Sequence, residues 1–314
     1  MKIVFMGTPM AAVPSLERIL RDGHEVAAVY TQPDKPSGRG NKITFSPVKE
    51  FALQHSLPVF QPHKVKTPEA LETFRSHNAD VAVVVAYGRI LPQTFLDAYP
   101  KGALNVHFSL LPKYRGAAPV NWAVVNGEER TGVTTMQMDA GLDTGDILLK
   151  RETRIGPLES SIELMDRLSF IGADLISETL AMYNELSGQP QDHDKATLAP
   201  IMKREDGLIN WDLTAREIAN RVRGFQPFPG SFTFYNSGKL TLWKAAESVI
   251  SDLESQTKGR NCGEIIEARG DSLVIQCGGE TGLRIDEVQP EGKRRMPVRD
   301  FVNGIHPQAG ELFG

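Results

Sequence analysis

The chain is predicted to be an α/β protein: a domain built on a mainly parallel sheet, then a small antiparallel β-barrel domain. Three observations carry this reading. Apolar strand patterns alternate with amphipathic helix patterns through the first half, as in successive βαβ units. Residues 80–86, DVAVVVA, are apolar after the first, which suits a central strand covered on both faces. After residue 207 the texture changes to short strands set between glycine turns. The length, 314 residues, also exceeds a comfortable single core and favours two domains.

In chain order, Lys2–Gly7, Glu25–Thr31, Leu57–Gln61, Asp80–Tyr87 and Ala103–Ser109 read as strands. Helix patterns lie between them, near Ala11–Arg21, Pro47–His55, Pro68–His77 and Pro92–Ala98. Such alternation implies right-handed crossovers, with the ligand crevice outside the strands' carboxyl ends. His107, Ser109 and Tyr87-Gly88 fall there. Thr131–Asp139 and Gly145–Arg154 read as a later pair of strands, and Ser161–Leu186 as a long helix closing the domain. Residues 187–206 are polar and proline-bearing and read as a linker, which divides the chain into domains 1–186 and 207–314. In the second domain Thr214–Arg223 reads as a helix. Phe232–Tyr235, Leu240–Ala245, Gly263–Glu267, Ser272–Gln276 and Gly282–Val288 read as strands, and Pro297–Gly304 as a closing helix.

The composition, 40% hydrophobic and 24% charged, is that of an ordinary globular protein. MKIVFMGTP enters a strand at once without an apolar signal core, and no apolar run approaches the ~18 residues of a membrane span, so a cytoplasmic protein with no membrane role is expected. Cys262 and Cys277 make neither a disulfide framework nor a metal knuckle, and read as buried thiols; no metal is expected. Net charge is −4, and residues 207–314 hold 13 basic and 14 acidic side chains, so any nucleic-acid contact must rest on local patches. The candidates are Lys35, Arg39, Lys42 and Lys49; Lys203 and Arg204; Arg221 and Arg223; and Lys293 to Arg295 with Arg299. Taken singly, each reads as a solvated face before it reads as a phosphate site.

Gly7-Thr8-Pro9 follows the first strand, where a dinucleotide domain carries GxGxxG. The second and third glycines are missing, so the backbone lacks the close approach a pyrophosphate needs, and no NAD is expected. Chemistry is concentrated instead in LNVHFSLLPKYRGAAP, residues 104–119. Asn105 and His107 are two apart on a strand and so share one side of the sheet. Gly141-Leu142-Asp143-Thr144-Gly145-Asp146 then supplies a carboxylate in a glycine-bracketed turn. Asn, His and Asp without a Ser or Cys nucleophile can stabilise an oxyanion and move a proton, which points to direct attack by a substrate amine. Taken alone, Asn105 and His107 also fit a hydrogen-bonded pair at a strand end.

NVH followed by SLLPKYRGAAP, then MDAGLDTGD, closely resembles the 10-formyltetrahydrofolate-dependent formyltransferases. FMGTP, TQPDKPSGRG with SPVK after it, VVVAYGRILP and IMKREDGLINW extend the likeness over almost the whole chain, to the methionyl-tRNA formyltransferase family. The resemblance implies a Rossmann-like domain, a linker and an OB-like barrel, acting in translation initiation as a monomer. It implies 10-formyltetrahydrofolate as formyl donor and co-substrate, tetrahydrofolate as product, and initiator methionyl-tRNA as acceptor. By motif position, Asn105, His107 and Asp143 would be catalytic. Arg89, Ile90, Leu91, Ser109, Leu110, Leu111 and Pro112 would line the folate cleft, with Asp139 near the pterin. The loop carrying Lys35, Arg39 and Lys42 would enter the tRNA acceptor stem, and Lys203 and Arg204 would add contacts. Pro33, Pro36, Gly38 and Gly40 in that loop should prevent regular structure.

In the expected reaction Asn105 and a protonated His107 donate to the oxyanion, while Asp143 accepts from the other imidazole nitrogen, holds a water or relays the amine's proton. Phe108, where relatives often have a small residue, should pack behind the sheet. The rivals are formyl transfer to a small amine, such as an aminosugar or glycinamide ribonucleotide, and a non-catalytic RNA-binding relative. Small-amine enzymes would resemble only the first half, and the downstream barrel therefore speaks for the tRNA.

Overall fold

The computed structural model of the chain describes residues 1–37, 42–248 and 259–314. Two compact units emerge. The first comprises Met1–Pro119, Arg130–Arg154 and Met165–Pro200; the second comprises Val120–Glu129, Ile155–Leu164 and Ile201–Gly314.

Apart from β3 and β4, the elements of the first half follow the apolar pattern closely: β1 (Lys2–Gly7), α1 (Val13–Arg21), β2 (Glu25–Tyr30), β3 (Lys35–Ser37), β4 (Lys42–Thr44), α2 (Pro47–Gln54), β5 (Val59–Phe60), α3 (Pro68–Ser76), β6 (Val81–Val85), α4 (Gln93–Leu96) and β7 (Ala103–His107). Two of the helices begin where the sequence marks a start. Ser46 accepts from the Lys49 amide at 3.1 Å and Thr67 from the Ala70 amide at 3.2 Å, each with proline as the first helical residue. Then come β8 (Arg115–Gly116), α5 (Pro119–Val125), β9 (Arg130–Gln137), β10 (Ile147–Arg154), α6 (Ser161–Ala181) and β11 (Leu198–Ala199). Helix α5, the ribbon β3–β4 and the short pair β8–β11 are not marked by hydrophobic periodicity.

The first unit's sheet has seven strands in the order β10-β9-β7-β6-β1-β2-β5. β5, β2, β1, β6 and β7 are parallel; β9 and β10 are antiparallel additions at one edge. One face buries Val4, Met6, Ala28, Tyr30, Ala82 and Val84 against Phe74 of α3 and Phe95 of α4. On the other face, α6 comes close to the sheet at Gly172. A β-carbon there would lie 3.0 Å from Val106, 3.3 Å from Phe108 and 3.6 Å from Val133. Phe108 is buried against this helix, behind the strand that carries Asn105 and His107. Gly172→Leu should therefore overpack this contact and lower stability by about 1–3 kcal/mol in urea unfolding.

Residues 187–200, read as linker, belong to the first unit. Gln189 bridges Ile147, β11 pairs in parallel with β8, and Gln191 and Ala199 are buried. Polar composition misleads here because one polar side chain of the segment, Gln191, is turned inward to hydrogen-bond loop carbonyls while the rest stay exposed.

The second unit holds α7 (Ala215–Gly224), β12 (Ser231–Tyr235), β13 (Gly238–Glu247), β14 (Ile265–Arg269), β15 (Ser272–Cys277), β16 (Thr281–Pro290), β17 (Met296–Pro297) and α8 (Val298–Ile305). Thr214 and Glu217 form a reciprocal capping box at the start of α7. The antiparallel sheet runs β12-β13-β16-β15-β14, with β17 on β16. Its two edges are joined by the last residues. The Phe313 amide donates to the Gly263 carbonyl at 2.8 Å, beside β14, and the Gly314 amide donates to the Phe234 carbonyl of β12 at 3.0 Å. The tail thus supplies the backbone groups that an open sheet would leave unpaired, and Phe313 enters the core with Trp211, Ile265 and Leu283. Cys277 lies in that core and burial pushes its thiol up to about 12. Cys262, expected to be buried too, is exposed. Among the described residues no helix is long and apolar enough to cross a membrane, and no cluster of His, Cys, Asp and Glu is placed to hold a metal ion.

Candidate active site

β7 ends at His107, and alternation along it turns Asn105 and His107 to the side opposite Val106 and Phe108. Both polar side chains are buried, at 9% and 5% exposure, so whatever they do is done largely out of water. Asp143 joins them from the turn between β9 and β10. The Asn105 amide nitrogen is 3.5 Å from Asp143 Oδ1, and His107 Nδ1 is 3.7 Å from Asp143 Oδ2. The three residues named from the sequence therefore converge.

The loops fix this arrangement. His107 Nε2 lies 2.9 Å from the Tyr114 carbonyl, which can only accept, so Nε2 carries a proton. Nδ1 is then the nitrogen facing Asp143. The expectation that Asp143 accepts directly from the imidazole is not met at 3.7 Å, beyond hydrogen-bond length. The carboxylate instead accepts from the Gly116 amide at 2.8 Å. Gly116 sits at φ 117°, and a β-carbon there would come within 2.8 Å of the Ala199 carbonyl. Glycine alone brings that amide to the carboxylate without strain. Asp143 itself has φ 53°, a left-handed conformation that Asp tolerates better than most side chains.

Residues 109–112 form a tight turn held from several sides. Ser109 Oγ donates to the Lys113 carbonyl at 2.6 Å. Thr134 Oγ1 donates to the Ser109 carbonyl at 2.6 Å and accepts from the Leu111 amide at 3.2 Å. The Lys150 ammonium donates to the Leu111 carbonyl, and burial holds that lysine below the usual range. The Leu111–Pro112 peptide is cis. Leu111 is fully buried with Met136 and Ile147, whereas Leu110 and Pro112 are partly exposed.

The remaining residues assigned to the folate cleft are distributed unevenly. Asp139 is exposed and accepts from Thr144 Oγ1 and the Gly141 amide, so it shapes the Asp143 turn. Ile90 is 74% exposed beyond β6, and Arg89 donates to the His63 carbonyl at 2.6 Å. The Leu91 side chain is packed in the core with Tyr87 and Phe95.

Among the basic candidates, Lys35 is exposed in β3, and β3 pairs with β4 in a two-stranded ribbon where no regular structure was expected. An isolated ribbon accepts proline because one edge of each strand has no ladder to complete. Arg39 lies outside the described residues, and of Lys42 only the backbone, in β4, is described. Lys203 and Arg204 are exposed. Lys49 does not belong with them: its ammonium is held by Asp34 and, at 2.8 Å, by Gln61, and it lies over the Phe45 ring. The hydrogen bond from Lys49 also holds the Asp34 carboxyl below its usual range. Arg223 is likewise structural, donating to the carbonyls of Glu159 and Gly156 within the second unit. Arg284 and Arg295 line a cavity of about 560 Å³ beside Trp243, yet Asp286 and Glu287 neutralise them.

Several contributors went unread in the sequence. Tyr114 and Gly116 lie inside the SLLPKYRGAAP motif and could have been named from it. Thr134, Lys150 and Gln191 carry no local signal.

Two sequence-family comparisons define the class. Residues 1–180 match the formyl transferase family, and residues 201–306 match the formyl transferase C-terminal domain. Over 316 residues the chain is 48% identical to methionyl-tRNA formyltransferase of Solibacter usitatus, covering 100% of this chain and 99% of that one. It is 50% identical over 317 residues to methionyl-tRNA formyltransferase of Koribacter versatilis, with the same coverage. The chain belongs to the methionyl-tRNA formyltransferase family and is a formyl-transferring enzyme.

The fold extends further than the family. A sugar 3-N-formyltransferase crystallised with dTDP and 5-N-formyltetrahydrofolate superimposes with a TM-score of 0.66 at 20% identity, covering 94% of this chain and 99% of that one. This corrects the expectation that small-amine enzymes resemble only the first half. A downstream domain alone does not mark a tRNA substrate, and the assignment rests on the full-length identity.

Proposed function

We propose that this enzyme moves the formyl group of 10-formyltetrahydrofolate to the α-amino group of methionine esterified to initiator tRNA, with Asn105, His107 and Asp143 as the catalytic groups. The observation that carries the reading is the convergence of a buried amide and imidazole with a half-buried carboxylate at the carboxyl end of β7, without a Ser or Cys nucleophile among them. The deprotonated amine attacks the formyl carbon directly and forms a C–N bond. The carbonyl oxygen becomes an oxyanion, which the Asn105 amide N–H and the Nδ1–H of protonated His107 are placed to meet. Collapse breaks the bond to N10, which takes up a proton as tetrahydrofolate leaves. One proton leaves the amine and one reaches N10, and the His107–Asp143 pair is the relay we assign. Gly116 holds the carboxylate so that it stays within reach of Nδ1 without capping it.

We assign the folate to the crevice bounded by residues 89–91 and 109–112, with Asp139 at its rim. The formyl-folate bound by the sugar enzyme of like fold supports a folate donor. We assign the acceptor stem to the loop with Lys35, Arg39 and Lys42, and further phosphate contacts to Lys203 and Arg204 in the second domain; the exposure of Lys35, Lys203 and Arg204 supports this. The enzyme is read as a cytoplasmic monomer, which light scattering checks.

The deciding assay offers 10-formyltetrahydrofolate with initiator methionyl-tRNA, elongator methionyl-tRNA, glycinamide ribonucleotide or an aminosugar nucleotide as acceptor. Transfer confined to the initiator is expected, and transfer only to a small amine overturns the tRNA assignment. In the same assay Arg39→Ala should raise KM for the tRNA about tenfold or more while folate binding stays unchanged. A parallel loss of both would remove Arg39 from the tRNA side.

A further inference from the structure

Gln191 lies ten residues past the end of α6, in a segment whose composition reads as linker, yet it is only 6% exposed. Its Nε2 donates to the Asp143 carbonyl at 2.8 Å and to the Gly145 carbonyl at 2.7 Å. Its Oε1 accepts from Arg115 Nε at 3.1 Å and Nη2 at 2.6 Å. Two carbonyls on one side and a guanidinium on the other admit only one orientation of the amide. The next residue after Arg115 is Gly116, whose amide holds Asp143 Oδ2. One buried amide therefore grips the backbone on both sides of Thr144 and the arginine adjoining the group that holds the carboxylate. The pairing of β11 with β8, seven residues after Gln191, ties the same two segments a second time.

We infer that Gln191 is a positioning residue for formyl transfer, acting through Asp143 and bridged by Arg115 to the loop that follows His107. This rests on the reading of Asp143 as a catalytic group. Gln191 touches none of the three proposed catalytic side chains directly. It sets where the carboxylate stands, and so the 3.7 Å spacing to His107 Nδ1. Misplacing a reacting group by about 1 Å is enough to lower turnover about 10²-fold.

The test is Gln191→Glu, which retains an acceptor for Arg115 and replaces the donor to the two carbonyls by a repelling oxygen. With 10-formyltetrahydrofolate and initiator methionyl-tRNA, kcat should fall about 10²-fold while both KM values stay within about threefold. In an Asp143→Ala background, followed by single turnover with enzyme in excess, the same change should matter less than about threefold, because its target is gone. Thermal melts accompany each variant. Should Gln191→Glu fail to fold, Gln191→Asn, one methylene too short to span both partners, is measured the same way. A folded variant with kcat within about threefold of wild type overturns the inference, as does an undiminished loss in the Asp143→Ala background. Wild-type enzyme inert toward methionyl-tRNA would instead overturn the reading beneath it.

Discussion

His107→Ala should lower kcat for methionyl-tRNA formylation by about three to four orders of magnitude, more than any other single substitution in the site. A preorganised oxyanion donor is worth about 3–4 kcal/mol, and general acid–base assistance roughly 10²–10⁴-fold. His107 is placed for both, whereas Asn105 offers only a donor, so Asn105→Ala should fall short by about tenfold or more. The ring is preorganised in the free enzyme: Nε2–H is tied to the Tyr114 carbonyl and Nδ1 is turned toward Asp143. The alanine also removes the hydrogen bond to the Tyr114 carbonyl, which should reduce stability by about 0.5–1.5 kcal/mol. Urea unfolding of the variant separates this loss from the kinetic one. Turnover within about tenfold of wild type in a folded His107→Ala enzyme would end the proposed mechanism.

Asp143 should come next, and two substitutions separate its roles. Asp143→Asn retains an oxygen for the Gly116 amide and removes the charge that stabilises an imidazolium. It should lower kcat about 10²-fold with KM for both substrates little changed. Asp143→Ala removes the acceptor as well and frees the Gly116 loop, so a further drop of about tenfold is expected. The comparison is made by steady-state kinetics beside melting curves. Equal and small effects of both would make Asp143 a structural anchor of the turn and leave His107 without its partner.

The second domain's fold recurs in an enzyme that formylates a sugar, and some of its basic residues are committed: Arg223 to carbonyls, Arg284 to Asp286 and Arg295 to Glu287. Electrostatic contact with tRNA from this domain then rests on its exposed cations, among them Lys203, Arg204, Lys293, Arg294 and Arg299. Because 14 acidic residues offset the 13 basic ones in residues 207–314, KM for the tRNA should depend on salt only shallowly, with a slope set by the number of phosphates neutralised.

Much of this protein was determined by local features of its sequence. Apolar runs were sufficient for the parallel strands, since burial on both faces demands them, and the helix starts read at Pro47 and Pro68 hold in the folded chain. The two-residue spacing of Asn105 and His107 placed both on one side of a strand, and the long motifs around them carried the family. Tertiary structure decided what no local pattern encodes. Gln191 and Thr134 act on loops far from them in sequence, and Lys49 and Arg223 are consumed by partners that composition does not reveal. A hydrogen bond is specific to geometry rather than to residue type, so a polar side chain in a linker-like stretch looks the same whether it faces water or closes an active site. Only the packed chain distinguishes the two.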